Sequence, residues 1–293
     1  MDPDDSVDLF LNQSFKLHKT NQLLPLLSPH QLEYLKVNLA QHLYDDYCAS
    51  IRHQELIPRY HSIQDVYNHL KVSQGLQNAQ YQIQYVVIRC GTLLPKQILI
   101  FINSGQNSAS YNTVVLKRIT SYNDAYLLSL LENMVGLEVP MVIREYRLQD
   151  RHILDITNQL LTGLVARHEQ RVPGRTSGVL ELAVGDIEIT YGISDKAINK
   201  NLRDITVTVP STDLDKFQDG PVVSEIHAFI LRTTTLNLEN LGIVKFGSAL
   251  ISLTVDGRVR IGGDRLPDNI KRESVWGVME SFMAPISGSE TAS

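Results

Sequence analysis

The chain has 293 residues, 43% hydrophobic and 20% charged, which is enough apolar material for a large core and too much for a disordered chain. Its net charge of −5 excludes bulk attraction to nucleic acid or anionic membrane and leaves open only a local basic surface. The two cysteines, Cys48 and Cys90, lie far apart without CxxC spacing, which excludes a disulfide framework and fits reduced structural thiols.

The chain opens on MDPDDSVD, acidic where a signal peptide needs positive charge followed by an apolar run. No apolar stretch approaches the roughly 18 residues of a membrane helix. A soluble, intracellular protein is expected. The first ten residues, and Ile286–Ser293 at the other end, are polar and small and read as loose termini. Ser28, Pro29 and Gln31 then combine an N-cap, a first-turn proline and a capping-box partner. Leu32, Leu35, Leu39 and Leu43 follow at helical spacing, predicting a helix to about Ile51. Ser62 and Asp65 mark a second, shorter helix to about Leu70.

From Tyr81 the period changes. Tyr81–Arg89, Gln97–Asn103 and Tyr111–Ile119 are rich in β-branched and aromatic residues and read as strands. Ser121–Val135 reads as a helix closed by Gly136, and Val139–Leu148 as a strand. Asp150 starts a long helix whose buried face is Ile153, Leu154, Leu160, Leu161, Leu164 and Val165, ended by Val172-Pro173-Gly174. Val179–Val184 and Ile187–Tyr191 alternate around Gly185-Asp186, a hairpin signal. Ile205, Val207 and Val209 alternate up to Pro210, and Ser211–Phe217 reads as a turn or two of helix. Val222–Arg232 fits strand or helix. Leu250–Val255 and Arg258–Ile261 flank Asp256-Gly257, the strongest hairpin signal in the chain. A last amphipathic helix is predicted over Asp268–Met283, with Ile270, Val275, Trp276, Val278, Met279 and Phe282 on its apolar face.

This order predicts an α+β fold: a largely antiparallel curved sheet with flanking helices and a helical N-terminal segment. Residues 1–75 are expected as that segment, packed on a sheet domain of 76–285, with 286–293 as a tail.

Chemistry is hard to find. There is no GxSxG, GxxxxGK[ST] or GxGxxG, and the nine histidines show no HExxH or other metal spacing. His53, His61 and His69 recur every eight residues, which does not bring them to one helix face. Asp186 and Glu188 could form the acidic pair of a metal-dependent nuclease or phosphodiesterase, but Ile189–Ile193 supplies no lysine. Asp213 and Asp215 read as a helix start. No catalytic residue, metal or cofactor is therefore expected.

Two binding leads remain. Arg144, Arg147, Arg151, Arg167, Arg171 and Arg175 share a window with four acids, Glu145, Asp150, Asp155 and Glu169. A solvated, ion-paired helix face explains the pattern, and so does a phosphate-contacting edge joined by Lys196, Lys200 and Arg203. The second lead is the last hairpin, where Ile251, Leu253, Val255, Val259 and Ile261 form either core packing or an exposed edge for a partner strand.

The run Lys200-Asn201-Leu202-Arg203-Asp204-Ile205-Thr206-Val207-Thr208-Val209-Pro210 resembles a strand of the centromere protein L family of the inner kinetochore. Ser211–Phe217, Val222–Thr235 and Leu236-Asn237-Leu238-Glu239-Asn240-Leu241 follow in the family order. The segment Ile243–Ile261, ending Val255-Asp256-Gly257-Arg258-Val259-Arg260-Ile261, is similar to its terminal strands. Upstream, Gln97–Asn103, Ser121–Val135 and Val139–Asp150 keep that order, and Ser14-Phe15-Lys16-Leu17-His18 is similar to the family's opening. The likeness spans about residues 14 to 262. Asp268–Met283 and Ser62–Leu70 fall outside its pattern.

The resemblance implies a structural, non-enzymatic subunit of the constitutive centromere-associated network, located in the nucleus at the centromere and serving chromosome segregation in cell division. It implies a heterodimer with centromere protein N, paired through the sheet of the C-terminal half, and contacts with other inner-kinetochore proteins. It further implies a weak or indirect contact with DNA or the nucleosome through a basic groove. A self-assembling structural or viral protein fits the same absence of chemistry.

Overall fold

The computed structural model describes residues 9–21, 25–54, 60–78, 82–91, 93–103, 113–119, 121–135, 141–171, 179–192, 204–217, 220–263, 275–279 and 282. The chain divides into two units: a middle unit, His18–Glu145, and a terminal unit built from Met1–Leu17 and Tyr146–Ser293. Strand β1 (Ser14–Thr20) crosses the division, and the expected boundary at 75/76 falls inside a strand, Leu70–Asn78.

In the middle unit, α1 (Pro29–Gln54) begins at the expected capping box. The Ser28 amide donates to Gln31 Oε1 at 2.8 Å, and the Gln31 amide donates to Ser28 Oγ at 3.2 Å. Helix α2 (Ile63–His69) starts on Ser62, which accepts the Asp65 amide. Four antiparallel strands follow as a meander, β2 (Leu70–Asn78), β3 (Gln82–Cys90), β4 (Leu94–Asn103) and β5 (Thr113–Arg118), in the sheet order β2-β3-β4-β5. Helix α3 (Ser121–Val135) and the short β6 (Ile143–Glu145) complete the unit, β6 pairing with His18–Thr20 of β1. Leu35, Leu39 and Leu43 of α1 and Leu127 and Leu131 of α3 share one core with Val86, Ile88, Leu99 and Phe101 of the sheet. Strand β2 gave no signal in the sequence because it is polar and interrupted by Gly75. Tyr85 sits directly opposite on β3, and a Cβ at Gly75 would lie 2.3 Å from its ring, so the tyrosine covers the gap the glycine leaves. Of the expected strand Val139–Leu148, residues 139 and 140 lie outside the described residues, and among the rest only Ile143–Glu145 are strand.

The terminal unit carries α4 (Asp150–Arg171), α5 (Val179–Val184), β7 (Ile187–Gly192), β8 (Asp204–Val209), α6 (Val222–Thr234), β9 (Gly242–Gly247), β10 (Ile251–Thr254) and β11 (Arg258–Ile261). Its sheet runs β1-β11-β10-β9-β7-β8, with every ladder antiparallel. Each unit carries antiparallel sheet with helices, the α+β class expected from the sequence. The reading of Val179–Val184 as one arm of a hairpin is wrong. That segment is α5, and Gly185, with φ +67°, stops the helix where a turn was expected. Strand β7 pairs instead with β8 and β9. Val222–Arg232 resolves as helix, α6 burying Val222, Val223 and Ile226. The β10–β11 hairpin forms as expected, and Gly257 carries its turn at φ +80°, where a Cβ would meet the Tyr146 carbonyl at 2.3 Å. The start of the chain is not loose throughout, since Leu9, Phe10 and Leu11 are buried and Phe10 packs edge-on against Trp276 at 6.1 Å. Residues 275–279 and 282 are helical and bury Val275, Val278, Met279 and Phe282. Ile286–Ser293 lies outside the described residues.

Candidate partner edge and cavity

Strand β8 is the outermost strand of the terminal unit. It pairs with β7 over its whole length, Ile187 opposite Val209 through Gly192 opposite Asp204, and among the described residues no strand lies on its other side. Its sequence, DITVTV, has high β propensity and carries neither a lysine nor an internal proline to block a further strand. Side chains alternate: Asp204, Thr206 and Thr208 are exposed, while Ile205 and Val207 are half-buried. The strand is held in register from the solvent side by the hydroxyls of Thr190 and Thr206, 3.2 Å apart, and its end is fixed where the Ser211 amide donates to Asp186 Oδ1 at 2.8 Å.

The hairpin residues expected at a partner edge are elsewhere. Strand β10 lies between β9 and β11, and β11 between β10 and β1, so neither is an edge. Ile251, Leu253, Val259 and Ile261 are buried at 2% exposure or less, and Val255 is half-buried. Their apolar alternation reports the inner face of an internal hairpin.

The acidic pair is also accounted for. Asp186 caps Ser211, and Glu188 accepts Lys245 Nζ at 2.6 Å across the sheet. Asp213 pairs with Lys216 at 2.6 Å at the head of a 3-10 turn, Ser211–Phe217. Among the described residues no group of three or more histidines, cysteines or acids could hold a metal ion.

Of the arginine window, Arg144, Arg147 and Arg151 have described side chains. Arg144 is exposed on β6 in the middle unit, and Arg147 is exposed just before α4 in the terminal unit. Arg167 and Arg171 belong to α4, but their side chains, and all of Arg175, Lys196, Lys200 and Arg203, lie outside the described residues. A different basic row appears on the outer face of the terminal unit, where Lys16 stands opposite Arg258 and Ser14 opposite Arg260. Arg258 and Arg260 are exposed, and Lys16 is half-buried. Asp256 offsets one of these charges, its Oδ2 lying 3.0 Å from Arg258 Nε. The signal was in the sequence as the alternation Arg258-Val259-Arg260, visible once the strand face is known.

A cavity of about 430 Å³ opens in the terminal unit, lined by Asp150, Arg151 and Leu154 of α4, Ser224 and His227 of α6, Glu239 and Leu241 beside the 3-10 turn Leu238–Asn240, and Ile243 of β9. His227 is 6% exposed, and its Nε2 lies 2.6 Å from the Tyr191 hydroxyl, itself fully buried on β7. Burial pushes the imidazole below its usual pKa, with Glu239 opposing the shift, and pushes the Tyr191 phenol up. Both groups are therefore neutral at neutral pH. The C-terminal half of α6 presents Phe229 and Leu231 to solvent, with Leu236 just beyond. No sequence reading anticipated the cavity, because its lining comes from four separate elements.

No protein-family model matches the chain, and no curated protein matches it in sequence.

Proposed function

We propose that this chain is a non-enzymatic binding subunit that receives a strand of a partner protein on the open side of β8. The observation that carries the reading is β8 itself, a regular, alternating outer strand with no lysine or internal proline placed against extension. Main-chain hydrogen bonds along such an edge supply affinity, and Ile205 and Val207 supply an apolar contact for the incoming strand. The exposed Phe229 and Leu231 in the C-terminal half of α6 add apolar surface of the kind that partners cover. The resemblance to the centromere protein L family gives the partner a name: a centromere protein N-like subunit within the nuclear inner kinetochore. Through β8, the site would lie in the very run, Asp204–Val209, on which that resemblance rests.

A second contact is favoured by the opposed cations Lys16, Arg258 and Arg260. A row of this kind suits the phosphates of DNA or nucleosomal DNA, read without base preference. Binding of the isolated protein to duplex DNA should be weak and should fall steeply with salt, and Arg258→Glu with Arg260→Glu should abolish it. Affinity that stays flat as salt rises would remove the second contact and leave the first standing.

The partner reading is tested by mixing this chain with the centromere protein N-like subunit of the same organism and measuring mass by chromatography with light scattering. A complex of one copy of each, lost with Thr206→Lys and Thr208→Lys while the fold is retained, is expected. A stable monomer, or a large homo-oligomer of this chain, would refute it.

A further inference from the structure

We infer that the cavity beside His227 is a receptor for a single lysine or arginine side chain presented by a partner protein. The inference rests on the reading of the chain as a binding subunit, but it concerns a site that shares no residue with β8. Three observations carry it.

The first is the charge of the lining. Asp150 and Glu239 supply two carboxylates against the one guanidinium of Arg151, and the buried imidazole adds no charge at neutral pH. The cavity therefore carries net negative charge, with Asp150 and Glu239 exposed at its mouth where an incoming cation meets them.

The second is the division of its surface. Leu154, Leu241 and Ile243 are aliphatic, while the carboxylates, Ser224 and His227 are polar. A lysine or arginine has the matching form, an alkyl stem that lies on aliphatic surface and a cationic head that reaches polar groups. An anion would meet two carboxylates, and a wholly apolar group would leave the polar lining without partners.

The third is size and fixity. About 430 Å³ lies within the range of sites that enclose a side chain or small ligand. The polar wall is held from behind by the hydrogen bond between Tyr191 and His227, so the imidazole that borders the cavity is positioned in advance.

The test uses the full chain and N-acetyl-arginine amide as the probe, with binding followed by NMR of the His227 ring and by calorimetry. Saturable movement of the His227 signals is expected. Glu239→Gln alone should weaken binding severalfold, and Asp150→Asn with Glu239→Gln should weaken it further, as loss of exposed ion pairs does. Two further probes separate other sources of the same chemistry. Acetate should leave the ring signals in place, and putrescine should bind no more tightly than the capped arginine. Binding of acetate, tighter binding of putrescine, a response undiminished in the double variant, or no response to arginine would each overturn the inference. Thr206→Lys with Thr208→Lys should leave arginine binding unchanged, so failure at the cavity and failure at β8 are read separately.

Discussion

Replacing Leu253 separates the core hairpin from the partner edge more cleanly than any other single change. Leu253 is fully buried on β10, directly opposite Val259 on one side and Phe246 on the other, both of them buried. Leu253→Ala removes three carbons, about 2.4 kcal/mol at ~0.8 kcal/mol for each buried group. The cavity left between two rigid strands raises the cost to about 3–4 kcal/mol, inside the ~2–5 kcal/mol range of such changes. Thr206→Lys alters an exposed side chain on β8 and should cost no more than about 1 kcal/mol, allowing for the lost contact with Thr190. The assay is urea unfolding followed by the fluorescence of Trp276, the only tryptophan of the chain, which packs on Phe10 within the terminal unit. A cost below about 1 kcal/mol for Leu253→Ala, or a larger cost for Thr206→Lys than for Leu253→Ala, would refute the assignment of β10 to the core and β8 to the edge.

Other perturbations address separate links. Ser28→Ala removes one half of the α1 capping box and should destabilise the middle unit by about 1 kcal/mol, measured by circular dichroism during urea unfolding. Gly257→Ala forces a Cβ against the Tyr146 carbonyl at a positive φ and should cost more than the ~1–2 kcal/mol of the left-handed conformation alone; a variant as stable as the parent would contradict the turn geometry. Burial holds the His227 pKa below its ordinary 6.5, so the unfolded chain binds this proton first as pH falls. Its contribution to stability is therefore intact above that value and declines as pH drops from there to the lower pKa of the folded protein. Tyr191, Glu239, Asp150 and Arg151 surround the ring or its cavity, and His227→Gln should flatten the decline.

Local signals in the sequence were reliable wherever the cause was local. The Ser28 and Ser62 caps, the apolar stripe of α1 and the Asp256-Gly257 turn each depend on residues a few positions apart, and each formed as expected. Readings failed where two structures share one signal. Gly185 offers a left-handed residue equally to a hairpin or to a helix end, and six residues at Val179–Val184 are too few for periodicity to decide. Strand β2 was hidden because its composition is largely polar and broken by Gly75, and only the pairing with β3, which sets Tyr85 opposite that glycine, reveals it. The open edge of the sheet was misplaced for a related reason. Alternation identifies a strand with one buried face, yet says nothing about its place in the sheet, and only the order β10-β9-β7-β8 moves the edge from the last hairpin to Asp204–Val209. The Lys16, Arg258 and Arg260 row required the register of β1 against β11, which joins the two ends of the chain.

The central claim, a partner strand added to β8, is tested most directly by hydrogen exchange of this chain alone and with the centromere protein N-like subunit. The account predicts that amides of Asp204–Val209 gain protection in a complex of one copy of each protein. It also predicts that Thr206→Lys with Thr208→Lys removes both the protection and the complex. A complex that forms with no change at β8, or one that tolerates both lysines, would contradict it.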